Sequence, residues 1–213
     1  MIKALLWDLD GVLVDGMALH EEAFLAAVRA EGKVDLTQQD HQRDYAGLPT
    51  RTKVGLMVQR GLLDQRYVEK VIQTKQALTQ EYIHQRIHPD TGRIALLTHF
   101  QPHYKLGCVT NCIKRTTIDL LTRSQLLRFV EGCIVTNEDA TPKPSSEPYR
   151  KACGILEVEP REALVFEDHD HGMTAAFNAG CYATQVRTWE ELTIDRVWTA
   201  INEAKHKERE GIL

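Results

Sequence analysis

Residues 2–11 read IKALLWDLDG, an almost uninterrupted apolar run that meets two aspartates and a glycine. The apolar part, residues 2–7, is too short for a core helix, and its composition favours a strand buried on both faces. Similar segments follow at residues 106–109, 133–135, 163–166 and 181–186, with helical stretches at residues 113–123, 147–153 and 172–179. This alternation predicts an α/β fold with a parallel sheet and helices on both of its faces.

The interval of residues 17–88 has a different pattern. Its apolar residues, such as Ala23, Phe24, Ala27 and Val28, are spaced as on a helix, and no convincing strand is present. We therefore predict a small all-helical domain inserted after the first strand, at residues 17–88. Residues 1–16 and 89–213 then form the α/β core.

Composition excludes several classes of protein. The chain has 213 residues, of which 43% are hydrophobic and 26% charged, which is typical of a globular protein. A net charge of −4 argues against a dedicated nucleic-acid binder, and no apolar run reaches the ~20 residues of a membrane span. The five cysteines are scattered without a CxxC pair, so no disulfide framework or zinc site is indicated. We expect a cytoplasmic monomer without nucleic-acid or membrane partners.

Asp8 and Asp10 follow the first predicted strand directly. In an extended segment, residues two apart point the same way, so the two carboxylates can converge on one site. Mg²⁺ neutralises such a pair well, because it prefers a few carboxylates together with water and phosphate oxygens. A calcium loop is the alternative, but apolar Val12 and Val14 occupy positions where such a loop needs ligands.

Residues 8–15, DLDGVLVD, resemble the first motif of the haloacid dehalogenase superfamily of phosphotransferases. Three further motifs of this family can be matched in order along the chain. Thr110 and Asn111, after the strand at residues 106–109, are similar to the second motif, whose hydroxyl and neighbouring amides hold the transferring phosphoryl group. Lys143 resembles the lysine of the third motif, which offsets charge on the nucleophile and the phosphate.

Glu167 and Asp168 follow the strand at residues 163–166 and resemble the acidic fourth motif, which completes a Mg²⁺ site. The resemblance covers residues 2–186 and implies a Rossmann-like, doubly wound core with a helical cap. It also implies that Asp8 is the covalent nucleophile and Asp10 the acid and base. The implied metal ligands are Asp8, Asp10, Glu167 and Asp168.

The fourth motif departs from the usual Glu-Asp-Ser pattern, because His169, Asp170 and His171 come next. A His-x-His pair can bind a softer transition metal than Mg²⁺. We favour the simpler interpretation that this is a tolerated loop substitution.

The predicted helical domain carries the candidate substrate contacts. His20 lies near its start, where related sugar-phosphate enzymes place a histidine near the general acid. Gly47 and Arg51 lie in a segment, GLPTR, that resembles the specificity loop of such caps, and Lys75 lies in the last long helix.

The expected activity is hydrolysis of a small phosphorylated metabolite, such as a sugar phosphate or phosphoglycolate, by a Mg²⁺-dependent phosphatase. A phosphomutase of the β-phosphoglucomutase type is the alternative, although Thr110-Asn111 looks more like the hydrolases than like the Ser-Ala of that mutase. A dehalogenase is disfavoured because a leaving halide needs no proton from Asp10. A binding module without catalysis is disfavoured because all four motifs carry competent residues.

Overall fold

The computed structural model describes residues 1–210, which divide into two compact units. The first, the core unit, contains Met1–Asp15 and the chain from His88 onward. The second, the helical unit, is Gly16–Ile87.

The core unit contains a parallel sheet of five strands, as the apolar segments predicted. The strands are β1 (Ala4–Trp7), β2 (Lys105–Val109), β3 (Ile134–Val135), β4 (Ala163–Glu167) and β5 (Tyr182–Gln185). Their order across the sheet is β3-β2-β1-β4-β5, so the chain builds outward from β1 on one side and then on the other. This is the doubly wound α/β arrangement, and its topological switch point lies between β1 and β4.

In the core unit, helices connect the strands. Among the described residues of the helical unit, all regular secondary structure is helical. The helices of the helical unit are α1 (Met17–Ala27), α2 (Gln38–Asp44), α3 (Thr50–Gln59) and α4 (Val68–Arg86). Those of the core unit are α5 (Thr91–Phe100), α6 (Lys114–Arg123), α7 (Leu127–Val130), α8 (Glu147–Ile155), α9 (Asp170–Ala179) and α10 (Ile194–Glu210). Across the described part of the chain, no helix combines the length and the apolar character needed to cross a membrane.

Strand register determines which loops meet. Trp7 pairs with Cys108 of β2 on one side and with Phe166 of β4 on the other. The residues that follow these three strands therefore emerge at one edge of the sheet. Ligands of doubly wound sheets bind at this carboxyl edge, next to the switch point.

Each unit has its own hydrophobic core. In the core unit, β-strand residues such as Leu6 and Val165 pack against Tyr149, Ala152 and Ala176 of α8 and α9. In the helical unit, α1, α3 and α4 contribute together with Tyr45, which follows α2, and the buried cluster includes Phe24, Val54, Met57 and Val71.

Candidate active site

The loop after β1 carries Asp8 and turns sharply. The backbone N–H of Asp8 donates to the carbonyl of Phe166 in β4, which extends the pairing of the two strands by one residue. The Asp8 side chain is buried. Gly11 makes the turn with φ of 82°, a left-handed conformation that favours glycine. Buried Arg93 braces the far side of this loop, because its Nε donates to the carbonyl of Val12 over 3.0 Å.

Lys143 lies at the centre of the site and is 4% exposed. Its Nζ is 2.6 Å from Asp8 Oδ1 and 2.5 Å from Glu167 Oε1, and it also donates to the carbonyl of Val109 over 2.7 Å. Burial works against the ammonium, but Asp8 and Glu167 more than offset it, so the pKa of Lys143 is raised. The lysine is therefore a fixed positive charge that joins three of the strand ends.

Asn111 holds the backbone of Lys143. Its side-chain Oδ1 accepts from the Lys143 N–H over 2.9 Å, and its Nδ2 donates to the Lys143 carbonyl over 3.2 Å. The side chain of Asn111 thus positions the lysine loop. Next to it, buried Thr110 uses its hydroxyl oxygen to accept from the backbone N–H of Cys112 over 3.0 Å.

Glu167 is 1% exposed and is held from two further directions. The hydroxyl of Tyr149, on α8, donates a short hydrogen bond to Glu167 Oε1. On α9, Gly172 leaves room for the carboxylate, since a Cβ there would lie 1.9 Å from Glu167 Cδ. Tyr149 belongs to none of the four sequence motifs. A tyrosine at a buried helix position was the available signal, because a buried phenol almost always has a polar partner.

The carboxylates of Asp8, Glu167 and Asp168 place one oxygen each within 4.8 Å of one another. Burial raises the pKa of Asp8 well above its ordinary value, more than Lys143 lowers it. Burial, followed by the charge of Glu167, raises the pKa of Asp168 to about 7. When ionised, these three carboxylates carry more negative charge than the ammonium of Lys143 can neutralise. This donor set fits a hard divalent cation, which takes oxygen ligands and stabilises the ionised carboxylates.

The carboxylate of Asp10 has a different partner from that of Asp8. Its Oδ2 accepts from the thiol of Cys112 over 3.0 Å, and its charge contributes to the raised pKa of Asp168. Asp10 therefore lies near the acidic group without joining its compact centre. Cys112, to which the sequence assigned no role, is half-buried beside it.

Residues 5–186 match the family model for the haloacid dehalogenase-like hydrolases. The chain belongs to this family. A pyrophosphatase, PpaX, from Anoxybacillus flavithermus is 28% identical over 181 residues, which are 84% of this chain and 80% of the relative. A phosphorylated carbohydrates phosphatase from Thermotoga maritima is 26% identical over 192 residues, covering 84% and 82%.

Among solved structures, the β-phosphoglucomutase of Clostridium difficile superposes on this haloacid dehalogenase-like hydrolase with a TM-score of 0.81. The two chains are 18% identical, and the match covers 95% of this chain and 98% of that structure. At this identity the similarity establishes the fold. The family and the α/β architecture expected from the four motifs are thereby confirmed, as is the expectation of a hydrolase.

In this hydrolase, His169 caps a helix. Its Nδ1 accepts from the backbone N–H of His171 over 3.2 Å, which satisfies a donor at the start of α9. The two imidazole rings lie 4.7 Å apart. The capping role gives a physical reason for this departure from the usual motif.

The helical unit holds the four predicted substrate contacts in different surroundings. Lys75 is buried, and its Nζ is 3.2 Å from His20 Nδ1. Arg51 lies on the surface in an ion pair with Glu69, whose Oε1 is 2.7 Å from the guanidinium. Gly47 has φ of 70°, the left-handed conformation that its loop requires.

A second buried lysine of the helical unit was missed. Lys53 Nζ lies 2.9 Å from His41 Nε2, and both side chains are buried. Burial, together with the charges of Lys53 and Lys75, lowers the pKa of His41 to about 4. His41 is therefore neutral at physiological pH. Sequence spacing contained a weak signal, since Lys53 falls four positions before buried Met57 and so lies on the same face of α3.

Proposed function

We propose that this chain is a Mg²⁺-dependent phosphatase that hydrolyses a small phosphorylated metabolite through an aspartyl phosphate on Asp8. The observation that carries the proposal is the buried junction of Lys143 with Asp8 and Glu167. It is supported by Thr110 and Asp168 at the neighbouring strand ends and by the family to which the chain belongs.

In the first step, a carboxylate oxygen of Asp8 attacks phosphorus and the ester P–O bond breaks. Asp10 gives its proton to the leaving oxygen, so the alcohol departs neutral. Lys143 offsets the charge that spreads over the phosphoryl oxygens, and Thr110 and Asn111 belong to the loop that orients them. Lys143 suits this role, because its three hydrogen bonds hold the ammonium in place and little reorganisation is needed during the reaction.

In the second step, Asp10, now ionised, takes a proton from water, and that water attacks phosphorus to release inorganic phosphate and restore Asp8. Mg²⁺, held by Asp8, Glu167 and Asp168 with Asp10 beside them, would supply positive charge against the phosphate and the carboxylates. The dual use of Asp10 as acid and then base is the feature that separates this reaction from dehalogenation.

The substrate class is the finer part of the proposal. The relatives named above are a pyrophosphatase and a phosphatase of phosphorylated carbohydrates. The substrates in both names are small molecules that carry a phosphoryl group. We place substrate selection in the helical unit, with His20, Gly47, Arg51 and Lys75 as candidate contacts. Neither a nucleic acid nor a membrane is part of the proposed reaction, and the proposed working form is a cytoplasmic monomer.

The test is a phosphate-release screen over phosphorylated metabolites with Mg²⁺ or with EDTA, using Asp8→Asn as the inactive control. We expect release that EDTA stops and Mg²⁺ restores, together with a phosphorylated peptide containing Asp8 after acid quenching. Absence of phosphate release from every compound, p-nitrophenyl phosphate included, would contradict the proposal. Conversion of β-glucose 1-phosphate into glucose 6-phosphate without free phosphate would establish the phosphomutase alternative instead.

A further inference from the structure

The hydroxyl of Tyr149 is buried and donates to Glu167, a carboxylate of the candidate active site. Tyr149 is fully buried on α8, in the cluster that packs against β4. A phenol in such a place stabilises the fold only if its hydroxyl has a partner. The partner here is a carboxylate oxygen of the site itself.

Two donors meet on that one oxygen. Tyr149 OH and Lys143 Nζ both donate to Glu167 Oε1. A carboxylate oxygen has two lone-pair directions, so two donors fill Oε1 and set the plane of the carboxylate. The lysine cannot do this alone, because its ammonium is shared with Asp8 and with the carbonyl of Val109.

Tyr149 also contacts the lysine through its ring. Lys143 Nζ lies 5.3 Å from the ring centroid, within the range of a cation–π interaction. The residue therefore touches both charged groups of the junction and carries no charge itself. On its other side, the Glu167 carboxylate packs against the backbone of Gly172, where there is no room for a side chain.

We propose that Tyr149 is a positioning residue that sets the affinity of the site for its divalent cation by holding the Glu167 carboxylate. This inference rests on the proposed function, since it takes the group of Asp8, Glu167 and Asp168 as the cation site. Partners that orient metal ligands from outside commonly control affinity by about 10- to 100-fold. Tyr149 meets that description, because it donates to Oε1 of Glu167 and leaves Oε2 of the same carboxylate available to the cation.

The experiment measures Mg²⁺ binding by calorimetry in the substrate-free protein, so activity is not needed as a readout. We expect Tyr149→Phe to weaken Mg²⁺ binding about 10- to 100-fold. Activity at saturating Mg²⁺ should return towards that of the unsubstituted chain. Tyr45→Phe is the matched control, because Tyr45 is an equally buried tyrosine of the helical unit whose hydroxyl contacts Arg60. It should bind Mg²⁺ as the unsubstituted chain does.

A double-variant comparison separates positioning from general loosening of the core. If Tyr149 acts through Glu167, then Tyr149→Phe should add no further loss of affinity in a Glu167→Gln background. The Mg²⁺-induced rise in melting temperature, taken for each variant against its own metal-free form, gives the same comparison if Tyr149→Phe is less stable.

Two results would overturn the inference. The first is unchanged Mg²⁺ affinity in Tyr149→Phe, and the second is an equal loss in Tyr149→Phe and Tyr45→Phe. Either result leaves the proposed function standing, provided that the unsubstituted chain binds Mg²⁺ and hydrolyses phosphate esters. An unsubstituted chain that binds no Mg²⁺ while releasing phosphate overturns the proposed metal requirement and this inference together.

Discussion

Buried lysines occur in both units, but their neighbours differ. In the core unit, Lys143 is joined to the carboxylates of Asp8 and Glu167. In the helical unit, Lys53 and Lys75 lie against the imidazole nitrogens of His41 and His20. Lys143 keeps its charge because the two carboxylates more than offset its burial. At His41, burial and then the charges of the two lysines lower the pKa of the imidazole to about 4. One residue type therefore helps to organise an acidic centre in one unit and helps to keep a histidine neutral in the other.

The largest expected effect concerns the acidic centre. Asp8→Asn should lower kcat by about 10⁴- to 10⁶-fold, because the amide cannot attack phosphorus. Since the amide has the shape of the carboxylate, the fold should remain, as circular dichroism can show. Asp15→Asn is the control, because Asp15 is an exposed aspartate of the same loop. A large residual rate in Asp8→Asn would mean that another group is the nucleophile.

Asp10→Asn should reduce turnover by about 10²- to 10⁴-fold, the usual contribution of a positioned acid or base. Both the leaving oxygen and the attacking water need this carboxyl group, whereas attack by Asp8 does not. Phosphorylated protein should therefore still form, and mass spectrometry after acid quenching should detect it. Near-normal turnover would remove Asp10 from the mechanism.

A matched pair of lysine substitutions compares the two units directly. Lys143→Met should lower the free energy of unfolding by about 3–5 kcal/mol, because two buried carboxylates lose their cation. Lys53→Met should cost less, about 1–3 kcal/mol, since it leaves only a neutral imidazole without its hydrogen bond. Urea unfolding of both variants gives these values. Equal losses would show that the two lysines stabilise their units in the same way.

The two units should also respond oppositely to pH in the absence of metal. Folding raises the pKa of Asp168 from 3.8 to about 7, so between these values the folded state binds the extra proton. Stability from this group is thus lost as pH rises through about 7. Folding lowers the pKa of His41 from 6.5 to about 4, so its contribution is lost as pH falls through that interval.

Urea unfolding in EDTA across this pH range separates the two groups. Compared with the unsubstituted chain, Asp168→Asn should become relatively more stable as pH rises, and His41→Gln relatively more stable as pH falls. Saturating Mg²⁺ should reduce the first difference, because a cation stabilises the ionised carboxylate. If Mg²⁺ leaves the difference between Asp168→Asn and the unsubstituted chain unchanged, the cation binds elsewhere.

The smallest expected effect is on the surface of the helical unit. The side chains of Arg51 and Glu69 are 70% and 62% exposed, so Arg51→Ala should leave the melting temperature almost unchanged. If Arg51 contacts the substrate, as its sequence context predicts, then KM should rise while kcat stays the same. Steady-state kinetics with the best substrate of the screen distinguishes this outcome from an unchanged KM.

Much of the core could be predicted because its signals are local. Each strand is a short apolar run, and each polar motif follows a strand end, so the parallel sheet and the meeting point of Asp8, Thr110 and Glu167 were accessible. Helix α5 was not predicted, because Ile94–Leu97 form a continuous apolar block without helical periodicity. The buried pair of Lys53 and His41 was missed for another reason, namely that neither residue belongs to a motif.

By itself, the sequence determined the family, the α/β class and the chemical types available at the strand ends, since these depend on the order and spacing of residues. Only the tertiary structure decided which groups touch. Lys143 reaches Asp8 across 135 positions of sequence, and Tyr149 donates to Glu167 from another element. Such contacts depend on strand register and on the side from which each helix packs, and no local pattern encodes them. The aspartates at the end of β1 and Lys143 were evident from the sequence, whereas the contacts that Lys143 and Tyr149 make with Glu167 required the fold.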